Sequence, residues 1–278
     1  MIKPMLAHKF DEKRVNWSKN VYVQPKLDGV RCLFTKDGAY SRAGNKFMNV
    51  EHIEKSLKKF FKDNPDIILD GELYNHELKN DFEKIISLVR KQKRITKKER
   101  AEAKKLVQFH VYDYIDDKYE SYGIRMNNLV VSDIYDKHII YVNAKLVTNF
   151  NAAKQYHKEY LDQGYEGSIM RLGSNVYKHG RSYGLMKFKD FHDTEAIIIG
   201  YEIGKGKRKG TLGKFIMQDD DGVEFGCPPG KGYTYEDMKN MLDNIKDYIG
   251  KRATFTYFQR TKAGSYRHPL FKGLRNYE

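Results

Sequence analysis

The sequence predicts an α+β protein in two parts, a larger mixed part ending near residue 190 and a smaller β-rich part after it. Three observations carry that reading. Strand-like and helix-like stretches alternate over the first two thirds of the chain. From about residue 191, short β-prone runs punctuated by glycine take over, with one helical piece among them. The chain has 278 residues, 40% of them hydrophobic, which is enough for a sizeable core and for one large or two ordinary domains.

The elements follow in order. Residues 19–35 read as two strands around a turn, NVYVQP, KLDG and VRCLFT, in which Gly29 permits a tight bend. Ile53, Leu57, Phe60 and Phe61 recur at helical spacing and predict a helix over 51–62. DIILDGELY predicts a strand over 66–74. Phe82, Ile85, Ile86 and Val89 share one helical face, so 81–106 is expected to be helical throughout. Its basic continuation, KQKRITKKERAEAKK, reads equally as a solvated face or as a phosphate-contacting surface. LVQFHVYDYI predicts a strand, 151–162 a helix, and EGSIMR and GLMKFKD two short β stretches. Beyond 190, TEAIIIGYEIGKG, GKFIMQ, GVEFGC and RATFTYFQR are β-prone, and YEDMKNMLDNIKDYI is helical. Several strands and one helix in so short a span suit a small barrel such as an OB-fold.

Lysine and arginine number 51 against 37 for aspartate and glutamate, a formal net charge of +14. That excess favours a polyanionic partner, most simply nucleic acid, with a merely soluble basic protein as the plainer reading. No apolar run is long enough to span a bilayer, and MIKPMLAHKFDEK lacks the apolar stretch of a signal peptide. Cys32 and Cys227 give neither a disulfide framework nor zinc spacing, so two reduced thiols in a cytoplasmic protein are expected. Nothing calls for an oligomer, and a monomer is expected. A Walker A loop, a G-x-S-x-G elbow and an H-E-x-x-H helix are all absent.

What stands out is KLDG at Lys26–Gly29. A lysine beside a turn reaches a ligand while its stem packs, and it becomes a covalent nucleophile when its proton is made easier to remove. Alone the tetrapeptide fits an exposed turn lysine better than a nucleophile. It is followed by Ser41-Arg42-Ala43-Gly44, by Leu69-Asp70-Gly71-Glu72-Leu73-Tyr74, and by Val111-Tyr112-Asp113. Then come Gly164-Tyr165-Glu166-Gly167-Ser168-Ile169-Met170-Arg171 and Leu185-Met186-Lys187-Phe188-Lys189. Lys187 and Lys189, at i and i+2 of a strand, share one face.

In order and spacing these segments resemble the nucleotidyltransferase motifs of ATP-dependent DNA ligases of the small phage and virus type. The resemblance runs from KPMLA at Lys3–Ala7, through Val176–Ala196, to RHPLFKGLR at Arg267–Arg275. It implies an adenylation domain over 1–190, an OB-fold DNA-binding domain over 191–278, ATP and Mg²⁺ (or Mn²⁺) as cofactors, and nicked duplex DNA as partner. The setting would be the cytoplasm of a bacterial or virus-infected host cell. By the same resemblance Lys26 carries AMP, and Lys187 and Lys189 contact the α-phosphate. Glu166 coordinates the metal, and Glu72 binds the ribose or a metal-bound water. Arg31 and Arg42 contact AMP or the nick 5′-phosphate. Tyr112 stacks on adenine, although core packing is a competing reading for it. Arg181 supports the site and the DNA, and Arg275 closes over ATP from the second domain.

Three departures from the pattern stand out. Gln24, placed for an adenine contact, differs from many relatives. The basic C-terminal motif is only partly recognisable after Arg275. YEIGKGKRKGTLGKF leaves room for a short basic loop rather than a long DNA latch, so Lys205, Lys207, Arg208 and Lys209 are expected to grip phosphates instead. RNA ligases and mRNA-capping guanylyltransferases share the superfamily and remain alternatives, as does a non-catalytic nucleic-acid-binding OB protein. NAD-dependent ligases are disfavoured, because no nicotinamide-binding domain and no four-cysteine site is present.

Overall fold

The computed structural model describes residues 3–79, 81–116, 118, 120–189, 192–230, 232–261 and 264–275. It divides into two units, Met1–Lys189 and Asp190–Glu278. Asp190 and Phe191, beside the expected boundary, lie outside the described residues.

In the first unit the strands and helices are β1 (Leu6–Lys9), β2 (Val21–Pro25), β3 (Val30–Thr35), β4 (Gly38–Ser41), α1 (Glu51–Asp63) and β5 (Ile68–Tyr74). They continue with α2 (Phe82–Val89), α3 (Lys97–Leu106), β6 (Gln108–Ile115), α4 (Tyr122–Val131), β7 (Ile139–Tyr141) and β8 (Lys145–Val147). α5 (Phe150–Asp162), β9 (Ser168–Leu172) and β10 (Arg181–Phe188) complete it. The strands form two five-stranded sheets, ordered β1-β10-β9-β2-β8 and β4-β3-β5-β6-β7.

The two strands expected around KLDG therefore do not pair with each other. β2 lies between β9 and β8, whereas β3 lies between β4 and β5, and the turn carries the chain from one sheet to the other. Alternation sets what each sheet faces. Val30, Cys32 and Phe34 of β3, Leu69 and Leu73 of β5, and Phe109 and Val111 of β6 enter a core with Ile53 and Leu57 of α1 and Leu129 of α4. Val21 and Val23 of β2, Met170 of β9 and Met186 of β10 pack instead with Ala153 and Tyr160 of α5. The residues between them, among them Arg31, Glu72, Tyr112, Gln24, Ile169 and Lys187, line a pocket.

The helix expected over 81–106 is two helices. Arg94 takes a left-handed backbone, φ 53°, and Thr96 caps α3 in a reciprocal capping box with Glu99. Such a cap contributes about 1 kcal/mol, enough to favour a fresh start over a continuous helix. α4 went unread in the sequence because Ile124, Val130 and Val131 stay exposed and blur its apolar stripe.

The second unit contains β11 (His192–Ile203), β12 (Leu212–Gln218), β13 (Glu224–Cys227), α6 (Tyr235–Asp243), β14 (Arg252–Tyr257), β15 (Gln259–Arg260), β16 (Tyr266–Arg267) and β17 (Leu270–Leu274). Five strands make one antiparallel sheet, β13-β12-β11-β14-β17. After β13 the backbone of Pro228 and Gly230 bonds Phe271 of β17 at 2.9 and 3.0 Å, which draws one edge of the sheet towards the other. Phe215, Phe255 and Phe271 are fully buried in its core. The helix expected over 235–249 stops at Asp243, and a single tight turn, Ile245–Asp247, continues it. Both cysteines are buried free thiols, Cys32 in the core of the first unit and Cys227 in that of the second.

Candidate active site

Lys26 stands where β2 ends and the chain crosses between the sheets. The β2–β9 ladder reaches past the strands themselves: Lys26 N–H donates to the Gly167 carbonyl at 2.9 Å, and Glu166 N–H donates to the Lys26 carbonyl at 3.1 Å. Backbone pairing thus sets Lys26 opposite Glu166. Two glycines make the approach possible. A Cβ on Gly29 would lie 2.5 Å from the Leu73 carbonyl oxygen, and Gly167 has φ 132° with no room for a side chain beside the Phe188 carbonyl. Both positions demand glycine on steric grounds.

The Glu166 side chain is buried, and its two carboxylate oxygens accept from the ammonium groups of Lys26 and Lys189. A buried carboxylate is tolerated when it is paired in this way. Beside this cluster opens a pocket of about 300 Å³. Gln24, Lys26, Ile169, Arg171, Arg181 and Lys187 come to it from the first sheet and its flanks. Arg31, Arg42, Glu72 and Tyr112 come from the second. Every first-unit residue singled out in the sequence lies in this wall, apart from Glu166 and Lys189, which adjoin it through Lys26.

The wall residues are held firmly. Arg31 donates from Nε to Asp70 at 2.9 Å, and Tyr177 donates to the same carboxylate at 2.7 Å. The Tyr112 hydroxyl donates to Glu72 at 3.3 Å. Burial pushes the Glu72 carboxyl up to about 7, although Lys26 and Arg31 pull the other way. Burial likewise pushes the Tyr112 hydroxyl up, so it stays a neutral donor. Arg181 donates to the Ala7 carbonyl at 2.6 Å, joining β10 to β1.

Sequence reasoning missed Arg171. It is buried, donates to Gln24 Oε1 at 2.8 Å and to Asp113 at 2.7 Å, and its guanidinium lies 5.2 Å from the Tyr112 ring centre. Asp113 also accepts from Arg125 at 2.7 Å. Gln24 is spent in the same network, since its amide nitrogen donates to the Val142 carbonyl at 2.9 Å. At 1% exposure Gln24 acts as a strut behind the wall more than as a reader of a base. A period-two reading of EGSIMR was the available signal, because Ile169 and Arg171 alternate with the buried Ser168 and Met170.

Arg275 belongs to the second unit, where its guanidinium pairs with Glu195. Lys205, Lys207, Arg208 and Lys209 form an exposed loop between β11 and β12, tied down by the Tyr235 hydroxyl, which donates to the Lys207 carbonyl. Among the described residues no cluster of three or more carboxylates, histidines or cysteines is arranged to hold a metal. Among the described residues no helix is long and apolar enough to cross a membrane.

Comparison with known proteins agrees with this geometry. Residues 4–189 match the model of the ATP dependent DNA ligase domain, and residues 203–275 match that of the DNA ligase OB-like domain. The DNA ligase of Enterobacteria phage T4 is 28% identical over 89% of this chain, which spans 62% of that protein's length. A solved Lig E DNA ligase superposes with a TM-score of 0.81 at 24% identity, covering 99% of this chain and all of the other. The Chlorella virus DNA ligase-adenylate, 25% identical, superposes with a TM-score of 0.55 over 99% of this chain and all of its own. With a lysine placed at a strand end, a carboxylate bridging two lysines, and both parts of the chain matched, this protein belongs to the ATP-dependent DNA ligase family.

Proposed function

We propose that the chain is an ATP-dependent DNA ligase that seals 3′-hydroxyl/5′-phosphate nicks in duplex DNA through lysyl-AMP and adenylated DNA. Residues 1–190 serve as the adenylation domain and 191–278 as the OB-fold DNA-binding domain. The protein acts as a monomer in a cytoplasmic setting. The observation that carries this reading is the convergence of Lys26 and Lys189 on the buried Glu166 carboxylate, beside a pocket already lined by Lys187, Arg31, Arg42 and Arg181.

An amine attacks only as the neutral group, so the Lys26 ammonium sheds a proton before its nitrogen bonds the α-phosphorus of ATP. The bond that breaks is the one to pyrophosphate, which leaves with its electron pair. Lys187 and Lys189 face the charge that builds on the phosphate oxygens, where preorganised cations are most effective. The 5′-phosphate of the nick then attacks the phosphorus of lysyl-AMP and releases the lysine. Finally the 3′-hydroxyl displaces AMP. Arg31 and Arg42 receive the 5′-phosphate, and a guanidinium suits that task because it pairs two oxygens at once.

A divalent cation fits the donor set. Glu166 already accepts two positive charges in a buried position, and Glu72 adds a second carboxylate. Mg²⁺, or Mn²⁺ in its place, takes few protein ligands and keeps its waters. Held by Glu166 and Glu72, it would supply charge neutralisation on the phosphates.

The deciding experiment incubates the protein with α-labelled ATP, separates it on a denaturing gel, and then offers nicked DNA. A covalent label and a sealed strand are expected. GTP should label poorly and nicked RNA should seal poorly. Absence of any covalent label would overturn the reading.

A further inference from the structure

The buried residues of α5 are Ala153, His157 and Tyr160, a stripe at helical spacing turned towards the first sheet. Ala153 and Tyr160 pack in the core there. His157, 4% exposed, brings a polar ring to a place that an apolar side chain would fill at a lower desolvation cost.

Two contacts hold that ring. Nδ1 of His157 meets the Ser168 hydroxyl at 2.9 Å, and the ring stacks on Phe188 with centres 4.0 Å apart and planes 21° from parallel. Ser168 and Phe188 lie opposite each other in the β9–β10 ladder, so one imidazole clasps a cross-strand pair. Ser168 is fully buried, and without the imidazole its hydroxyl would lose that partner, a costly change in a buried place.

The clasped pair stands directly behind the charged cluster at Lys26. Strand alternation turns Ser168 and Phe188 towards α5 and turns Ile169 and Lys187 towards the nucleotide pocket. Glu166 lies two residues before Ser168, Lys189 follows Phe188, and these two side chains pair beside Lys26. Between them Gly167 leaves no slack. A Cβ built on it would meet the Phe188 carbonyl oxygen at 2.5 Å and both His157 Cε1 and Lys189 Cα at 3.4 Å. The helix ring and the lysine backbone thus close on the same point of the turn.

We propose that His157 is a positioning residue for ligation. Through Ser168 and Phe188 it fixes the Glu166–Gly167 turn against the Lys189 backbone, and so sets where the Glu166 carboxylate and the Lys189 ammonium stand relative to Lys26. The inference rests on the ligase reading above. An architectural histidine would also be buried and bonded, but its contacts could fall anywhere in the core. Both contacts of His157 fall within two positions of a charged group at the site. Displacing such a group by about 1 Å can cost on the order of 10² in rate. Phe10 and Phe150 also border Phe188, with ring centres at 5.1 and 6.2 Å, so the strand keeps other support when the imidazole is changed.

The test follows lysyl-AMP formation from α-labelled ATP, and sealing of a pre-adenylated nick, in the full chain well below its melting temperature. His157→Phe keeps a ring against Phe188 and deletes the bond to Ser168, and Ser168→Ala deletes the same bond from the other side. Each should lower kcat of both reactions about tenfold and leave the KM for ATP within about twofold, because alignment is lost and binding is not. The double variant should be no slower than either single one, since both remove one interaction. His157→Asn, whose amide can take the place of Nδ1, should recover most of the lost kcat. Ser168→Ala removes a single oxygen and keeps the question open to measurement if His157→Phe does not fold. Wild-type kcat in folded variants, whatever their melting temperatures, would overturn the proposal and leave His157 an architectural residue. So would a rise in KM at constant kcat, or losses that simply add in the double variant. Failure of the wild type itself to form lysyl-AMP would instead remove the ligase reading on which the proposal stands.

Discussion

Lys26 and Glu166 face each other because the backbone pairs them first: each main chain bonds across the end of the β2–β9 ladder, at 2.9 and 3.1 Å, before the side chains meet. The ion pair is a consequence of strand register, and a shift of one residue would turn the lysine to the opposite face. Glu166 therefore orients the Lys26 side chain as well as balancing its charge.

Removing the nucleophile separates the steps. Lys26→Ala should form no covalent adduct with ATP and seal no ordinary nick. It should keep measurable sealing of a nick that already carries AMP, because that step needs alignment and charge stabilisation from Lys187, Lys189 and the arginines. Gel assays of both substrates decide it, with circular dichroism for folding. Sealing of ordinary nicks by the variant would end the covalent scheme.

Glu166→Gln keeps the shape of the side chain and deletes its charge. Lysyl-AMP formation and sealing of the pre-adenylated nick should both fall by about 10²–10³, the usual cost of one preorganised electrostatic contact. A folded variant within a fewfold of wild type would reduce Glu166 to a structural ion pair.

Glu72 gives a pH signature. Its carboxyl titrates near 7 in the fold, above a carboxylate's ordinary value, so the folded protein holds this proton more tightly than the unfolded chain does. Its contribution to stability is complete below about pH 4.5 and is lost as pH rises through 7. Glu72→Gln should thus be more stable than wild type at pH 8 by on the order of 3 kcal/mol, and about equal to it near pH 4. Urea unfolding without ATP at both pH values measures this. An equal difference at the two would show that Glu72 titrates normally.

Arg171 positions the pocket wall through Gln24 and Tyr112. Arg171→Lys keeps the charge beside Asp113 but loses the planar fork. The KM for ATP in lysyl-AMP formation should rise about tenfold, equivalent to ~1.4 kcal/mol, with kcat nearly unchanged. A fall in kcat at constant KM would point to contact with the reacting phosphate instead.

Much of the site was legible because its residues sit in short, ordered segments: KLDG, SRAG, LDGEL, YEGSIM and LMKFK each carry their own signal. What stayed hidden depends on distant pairing. Arg171 meets Asp113 across 58 residues, and nothing local in EGSIMR announces that partner. The separation of β2 and β3 into two sheets was equally hidden, since strand propensity says where a strand lies and nothing about its neighbours. The break between α2 and α3 was the exception. Thr96 and Glu99 spell a capping box in the sequence, and the run of helix-forming residues around them masks it.

The Lys26–Glu166 contact closes a loop of 140 residues. Closing so long a loop carries an entropic cost, and topologies rich in contacts of this separation fold slowly. During synthesis Lys26 leaves the ribosome well before the segment that orients it. A truncated chain ending before Glu166 would carry Lys26 and the whole of the second sheet, yet it would lack both the carboxylate and the strand that hold the lysine in place. The surroundings of Lys26 are thus completed only by the C-terminal strands of the first unit, and an unfinished or clipped chain holds this lysine without the partner that orients it.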